Sequence, residues 1–454
     1  MKQLLMNTLL ASTVLLTTAA QANPYETTLP NGLHVIVKED HRAPTALQMV
    51  WYRAGSIDEK DGSSGLAHAL EHLMFKGTKK IKPGEFSQRV AAAGGRDNAF
   101  TSYDYTAYYQ QVPARALPEM MRLEADRMAN LQIPQKEYDQ EIKVVMEERR
   151  WRTEDDPTSL VHEALHSMAF QAHPYRRPVI GWMDDLVHMH RVDAEQWYKT
   201  WYAPNNAWLV IAGDVKHEEV FRLAAKYYGG IKSHALPERK PQNEPEQKGI
   251  RRVVVKAPAK LPYIAMAWKV PKLVNVDKDR EPYALSVLSA VLDGGGSSRL
   301  AKNLVRGQKI AQSAGAGYDS TARGETLFVM DGQPGDGHTV IELEAALRGE
   351  LKRIQDEGVS AEELARIKTQ TIAGQVFKRD SVMGQAMEIG AMEVIGMDWR
   401  DTDRILDKIR SVTPDEVQAV ARKYFGDDTL TVATLDPQPI DETAAPKKPA
   451  IHHH

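Results

Sequence analysis

The chain repeats itself at a spacing of about 218 residues, and a repeat that long signals a duplicated domain rather than a solenoid. Val35-Ile36-Val37-Lys38 corresponds to Val253-Val254-Val255-Lys256, Pro44 to Pro262 and Gly77 to Gly295. The spacing then drifts, so that Glu137, Ile142 and Lys143 match Glu362, Ile367 and Lys368. Whatever one half folds into, the other must fold into as well. In each half, alternating apolar and polar residues mark strands, as over 33–37 and 46–52, and a helix follows at 65–75 or 283–292. Further strands are expected over 99–112 and 207–212. The pattern predicts an α+β fold of two homologous domains, each with helices packed on one face of a largely antiparallel sheet.

At 454 residues the chain is longer than one ordinary core requires. Residues 233–249 are polar and contain three prolines, which reads as a linker between a first domain at 23–232 and a second at 250–436. Residues 1–22 read as an export signal: Lys2 is basic, 4–18 are largely apolar, and Ala20-Gln21-Ala22 offers a cleavage site before Asn23. No later stretch is apolar for the ~20 residues that a membrane span needs. The absence of cysteine excludes disulfides, thiolate ligands and a lipid-anchor thiol. Together these features predict a periplasmic protein. A net charge of −3 argues against a nucleic-acid binder, which normally shows a basic domain. Residues 437–454 end in three histidines and read as a disordered tail, set aside from any metal argument.

The candidate chemistry lies in His68-Ala69-Leu70-Glu71-His72. Positions i and i+4 share one face of a helix, so both imidazoles can reach one metal ion. Imidazole nitrogens suit Zn²⁺, and a site with three protein ligands keeps a fourth position for water. Glu71 would be the base that takes that water's proton. At the repeat spacing the second half carries Ser286, Ser289 and Ala290 instead, so only the first half can hold such a site. A second motif competes. His162-Glu163-Ala164-Leu165-His166 reads H-E-x-x-H on a helix expected over 158–170. Its extension lacks the Gly and His of one zincin class, with Ala169 and Ala172 standing there, and Asp184, Asp185 and Glu195 are unconvincing third ligands by spacing. On residues alone both readings stand.

A wider set of landmarks resembles the pitrilysin/insulinase family of zinc metallopeptidases, in particular its half-length branch with the mitochondrial processing peptidase subunits. These are Leu29 to Leu33, Gly65 to Thr78, Asn98-Ala99-Phe100-Thr101 with Asp104, Thr106 and Tyr108, His173-Pro174-Tyr175, Trp201 to Asn206, and Gly294 to Leu300. The resemblance spans residues 25–436. It implies a zinc endopeptidase acting on peptides or unfolded segments, with one Zn²⁺ per chain held by His68, His72 and Glu148, which lies 76 residues beyond His72. It also implies Glu71 as general base and Glu141 as a supporting residue behind the ligands. The segment holding His162 and His166 becomes an ordinary helix. Asn98, Ala99 and Phe100 become the edge strand that takes the substrate, with Phe100 offering an apolar contact. Arg306 falls on a substrate-binding arginine of the family, while Gln312 stands near where a tyrosine is expected. The equivalents of Glu141 and Glu148 in the second half are Arg366 and Ala373, neither a ligand. Half-length members close in pairs around a chamber, so a related half-length partner is expected, in a heterodimer rather than a homodimer. A catalytically silent assembly subunit is the alternative within the family.

Overall fold

Successive side chains of a strand point to opposite faces, so a strand buried along its whole length must be covered twice. In the computed structural model, which describes residues 23–440, the strand Thr45–Tyr52 is of this kind: every residue after Thr45 is buried. It belongs to a first sheet built from β1 (Tyr25–Thr28), β2 (His34–Glu39), β3 (Thr45–Tyr52), β4 (Arg96–Thr101), β5 (Thr106–Pro113) and β6 (Ala207–Gly213). The strand order is β1-β2-β6-β3-β5-β4. A second sheet contains β7 (Arg251–Pro258), β8 (Tyr263–Val270), β9 (Ala311–Tyr318), β10 (Thr326–Pro334) and β11 (Leu430–Gln438), ordered β7-β11-β8-β10-β9.

Apart from β1, the two orders match strand for strand. Each sheet has one parallel pair, β2 with β6 and β7 with β11, among antiparallel neighbours. After its third strand (β3) the first half places the helix Leu66–Leu73, and after β8 the second half places Glu281–Asp293. The segment 99–112, expected as one strand, is two: β4 and β5 are joined by a turn around Ser102–Tyr105, where Tyr105 O accepts the Ser102 N–H at 2.8 Å. Pro437 and Gln438, assigned to the tail on composition, extend β11 beside β7. The remainder of the tail beyond 440 and the export signal at 1–22 lie outside the described residues.

Within each half, that half's own helices pack on one face of its sheet, as the apolar periodicity requires. Val50 and Tyr52 of β3 meet Leu66, Leu70 and Leu73 of the helix that follows. In the second half Met266 and Trp268 meet Leu285, Leu288 and Leu292. The opposite faces are covered by exchange. Leu47, Met49 and Trp51 of β3 pack against Ala386, Ile389 and Val394 on the second-half helix Val382–Ile395. Reciprocally, Ala265, Ala267 and Leu435 pack against Val161, Leu165 and Ala169 on the first-half helix Pro157–Ala169. The two helices occupy equivalent places in the repeat, so the exchange is symmetrical. Gly390 allows one of these contacts: a Cβ there would lie 2.0 Å from Trp51 Nε1.

The stretch between the helix His217–Tyr228 and β7 has no helix or strand, yet it is pinned. Arg239 pairs with Asp58 at 2.7 Å and lies over the Trp201 ring, 4.4 Å from its centroid. Glu244 accepts the backbone N–H groups of Gln171, Ala172 and His173 at 2.8–3.0 Å, and Lys269 Nζ at 2.9 Å. Among the described residues, no helix is long and apolar enough to cross a membrane.

Gly390→Ala should raise helix propensity by about 1 kcal/mol but force the buried Trp51 ring aside, for a net loss of about 1–3 kcal/mol in urea unfolding. Glu244 offers a pH-dependent check. Burial pushes its carboxyl up, but Lys269 and the three N–H donors win and hold it at about 2. Its stabilisation is therefore complete above the ordinary glutamate value of 4.5 and is lost as pH falls toward about 2. The stability gap between the wild type and Glu244→Gln, followed by urea unfolding, should shrink across that window.

Candidate metal centre

The helix Leu66–Leu73 has leucines and alanines on its buried sides and begins after Gly65, whose φ is 83°. That glycine is forced twice, by its positive φ and by Ile180 O, 2.6 Å from where a Cβ would stand. Glycine has no side chain to cap the exposed N–H groups of the first turn. Glu59 does so instead: Oε2 accepts the Gly65 N–H at 3.0 Å and Oε1 the Ala67 N–H at 2.8 Å. Burial nevertheless raises the Glu59 carboxyl to about 8, against the pull of those two bonds. Sequence reasoning missed Glu59, because no helix-start pattern places a cap six residues upstream.

His68 and His72 lie on one face of this helix, their rings edge to face with centroids 4.8 Å apart. Glu148, on the helix Gln135–Arg149, brings Oε2 to 3.4 Å from His68 Nε2 and 3.2 Å from His72 Nε2. Ligands at 2.0–2.1 Å from a tetrahedral Zn²⁺ stand about 3.3–3.4 Å apart, so this donor set and spacing fit that ion. The adjacent Glu147 is 71% exposed and pairs with Arg150, away from the cluster. Glu148 Oε1 takes a 2.9 Å contact from Arg152. Behind the ligands, His72 Nδ1 meets Glu141 Oε1 at 2.9 Å, and Glu141 Oε2 meets Lys76 Nζ at 2.6 Å. Burial lowers the His72 imidazole, but Glu141 and Glu148 outweigh it and raise it to about 9. Burial likewise raises Glu148, but His72, His68 and Arg152 bring it to about 2. The pocket is thus built to hold positive charge between two carboxylates.

Glu71 points from the same helix toward β4 and accepts a hydrogen bond from Thr101. Thr101 and Thr106 hydroxyls are 3.4 Å apart, and Thr106 donates to Ala54 O at 2.9 Å. Burial raises the Glu71 carboxyl above the ordinary carboxylate range, with Thr101 and His72 pulling the other way. Strand β4 is the free edge of its sheet. There the Ala99 N–H is held by the Asn98 side chain, Oδ1 at 2.9 Å. Phe100, expected to offer apolar contact to a substrate, faces the other side: it packs edge-on against Trp51, with centroids 5.5 Å apart. Arg306 sits exposed on the helical segment Leu300–Gly307 and Gln312 exposed on β9, and neither touches the cluster.

The H-E-x-x-H segment is used for packing. His162 Nε2 meets Tyr263 Oη at 3.1 Å, and burial pushes His166 down to about 4 as its ring stacks on Tyr103. Glu163 accepts both Arg149 nitrogens, at 2.8 and 3.1 Å, tying the Glu148 helix to the exchanged helix. Among the described residues, one other set of donors gathers, Glu39, His217 and Glu218. Glu39 there accepts the His217 N–H and Nδ1, both at 2.8 Å, and closes the start of the helix His217–Tyr228. In the second half Ser289 donates to Ala316 O of β9 at 3.3 Å and Ser286 to Pro282 O at 2.9 Å, while Arg366 Nη1 reaches Ser297 Oγ at 2.6 Å. The packing survives there without the ligands. Glu141→Gln should weaken Zn²⁺ binding by about 10–100-fold in chelator competition, because His72 loses a charged partner.

Two family models match the chain: Insulinase (Peptidase family M16) over residues 34–182, and Peptidase M16 inactive domain over residues 189–371. The zinc protease PqqE of Helicobacter pylori is 32% identical over 420 residues, covering 90% of this chain and 92% of that protein. The uncharacterized zinc protease YmxG of Bacillus subtilis is 25% identical over 412 residues, covering 90% and 97%. The crystal structure of a protease from Helicobacter pylori is similar at a TM-score of 0.86 and 30% identity, over 91% of this chain and 100% of that one. The periplasmic protease PqqL from Escherichia coli is similar in fold, with a TM-score of 0.77 at 20% identity, over 92% of this chain but 48% of its own.

Proposed function

The chain belongs to the insulinase family of peptidases, M16, and from that premise we propose that it is a zinc-dependent endopeptidase acting on peptides or unfolded segments. The observation that carries this reading is the approach of Glu148 Oε2 to His68 Nε2 and His72 Nε2, at 3.4 and 3.2 Å, with Glu71 on the same helix as the two histidines. Zn²⁺ held by these three side chains would supply a Lewis acid and acidify water at its fourth position. Glu71 takes the proton of the attacking water and returns it to the leaving amine. Thr101 fixes the direction of the Glu71 carboxyl by donating a hydrogen bond to it. Glu141 holds the His72 ring in place from behind. Substrate adds as a strand along β4, displacing Asn98 Oδ1 from the Ala99 N–H and taking that donor itself.

The proposal includes a related half-length partner chain, favoured as a heterodimer. PqqL, with about twice the length that this chain covers, and Gln312 at the expected tyrosine position both support it. Export to the periplasm is proposed on the pattern of residues 1–22, and PqqL is itself described as periplasmic.

Metal analysis with peptide cleavage tests the reading. Wild type and His162→Ala should each carry one Zn²⁺ per chain, and His68→Ala should lose it. Glu71→Gln should keep the metal while cleavage falls about 10²–10⁴-fold. Zinc retained by His68→Ala, or cleavage retained by Glu71→Gln, overturns the assignment.

A further inference from the structure

The second half reaches two first-half turns next to the candidate centre through the connection between β9 and β10. Arg323 on that connection is 6% exposed and grips Asp58 with two bonds, Nη1 to Oδ2 at 2.9 Å and Nη2 to Oδ1 at 3.0 Å. Nη1 also donates to Asp104 O at 2.7 Å, and the Arg323 N–H donates to Asp104 Oδ2 at 2.9 Å. Tyr175 completes the knot by donating to Asp104 while accepting the Gly324 N–H at 2.9 Å.

Asp58 and Asp104 sit on two first-half turns, and each turn leads to a group that governs Glu71. Asp58 accepts the Gly55 N–H at 3.2 Å, closing the turn Ser56–Asp58, and the next residue is Glu59, the cap of the helix carrying His68, Glu71 and His72. Asp104 sits in the β4–β5 turn, three residues beyond Thr101, which hydrogen-bonds Glu71. The two turns are themselves joined: Ser102 O accepts the Ser56 N–H at 3.2 Å and Tyr103 O the Ile57 N–H at 2.8 Å. A buried arginine costs several kcal/mol to desolvate, and its ion pairs roughly offset that cost, so the arrangement adds little net stability. What a bidentate fork adds is direction.

We propose that Arg323 is a positioning residue for the hydrolytic centre of the opposite half, locking the two turns that set the cap Glu59 and the Glu71 partner Thr101. This rests on reading His68, Glu71, His72 and Glu148 as that centre. It gives the ligand-free half a role in the chemistry of the other.

The test compares full-length wild type with Arg323→Met, which keeps the stem, and Arg323→Lys, which keeps charge without the fork. Native-state hydrogen exchange at the Gly65 and Ala67 amides should quicken about tenfold in Arg323→Met, with the β6 amides of Leu209 and Val210 unchanged. For a peptide substrate kcat should fall about tenfold with KM within about twofold, and Arg323→Lys should fall between the two. Exchange at Gly65 and Ala67 that is unchanged, or that quickens only in step with β6, overturns the proposal. If Arg323→Met does not fold, the same exchange comparison on Arg323→Lys decides. The exchange readout needs neither metal nor cleavage, so it stands apart from failure of the peptidase reading, which His68→Ala metal content would reveal.

Discussion

Each sheet of this protein is apolar on both faces, and the half that contains it supplies helices for only one. Everything else in the architecture follows from that mismatch. The uncovered face of the first sheet takes the helix Val382–Ile395 from the second half, and the second sheet takes Pro157–Ala169 from the first. Burial of apolar surface is the dominant favourable term in folding, and each half completes it for the other. The contact is tight enough that Trp51 lies where a side chain on Gly390 would have to stand. The exchange also reaches the candidate centre, because Arg149 beside Glu148 is clamped by Glu163 on the exchanged helix.

The centre itself is an exercise in balanced burial. Two imidazoles and four carboxylates, those of Glu59, Glu71, Glu141 and Glu148, lie in and around one helix. Isolated buried charges are expensive, and each here has a named counterpart. Glu59 has the N–H groups of a helix start, Glu71 has Thr101, Glu141 has Lys76 and His72, and Glu148 has the two imidazoles and Arg152. Lys76 and Arg152 bring positive charge to Glu141 and Glu148, and a divalent cation between the imidazoles and Glu148 would add to it. Of these acidic residues only Glu71 and Glu59 are held above the ordinary carboxylate range, and Glu71 is the one aimed at the edge strand.

The two halves differ at the candidate centre. At the places of His68, Glu71 and His72 the second half carries Ser286, Ser289 and Ala290, and Ser289 still contacts β9 as Glu71 contacts β4. Shape has been kept where chemistry has not. Duplicated domains that exchange helices must keep complementary surfaces, so the sheet and its covering helices remain under constraint even where ligands are gone. The second half's connection at Arg323 then touches the turns behind the centre.

Much of this was legible in the sequence because it is periodic or local. The repeat foretold two like domains, period-two alternation foretold their strands, and i,i+4 spacing put His68 and His72 on one face. Spacing favoured H-x-x-E-H over H-E-x-x-H without deciding between them, since spacing says nothing of what faces a helix, and the family resemblance made the second an ordinary helix. Only the tertiary structure set His162 against Tyr263 and brought Glu148 across 76 residues to both Nε2 atoms. It turned Phe100 away from the site, and it placed Glu59 at a helix start that has no cap of its own. Local order follows from neighbours along the chain. A site's third ligand, its cap and its supports come from segments distant in sequence, and only packing brings them within a hydrogen bond's reach.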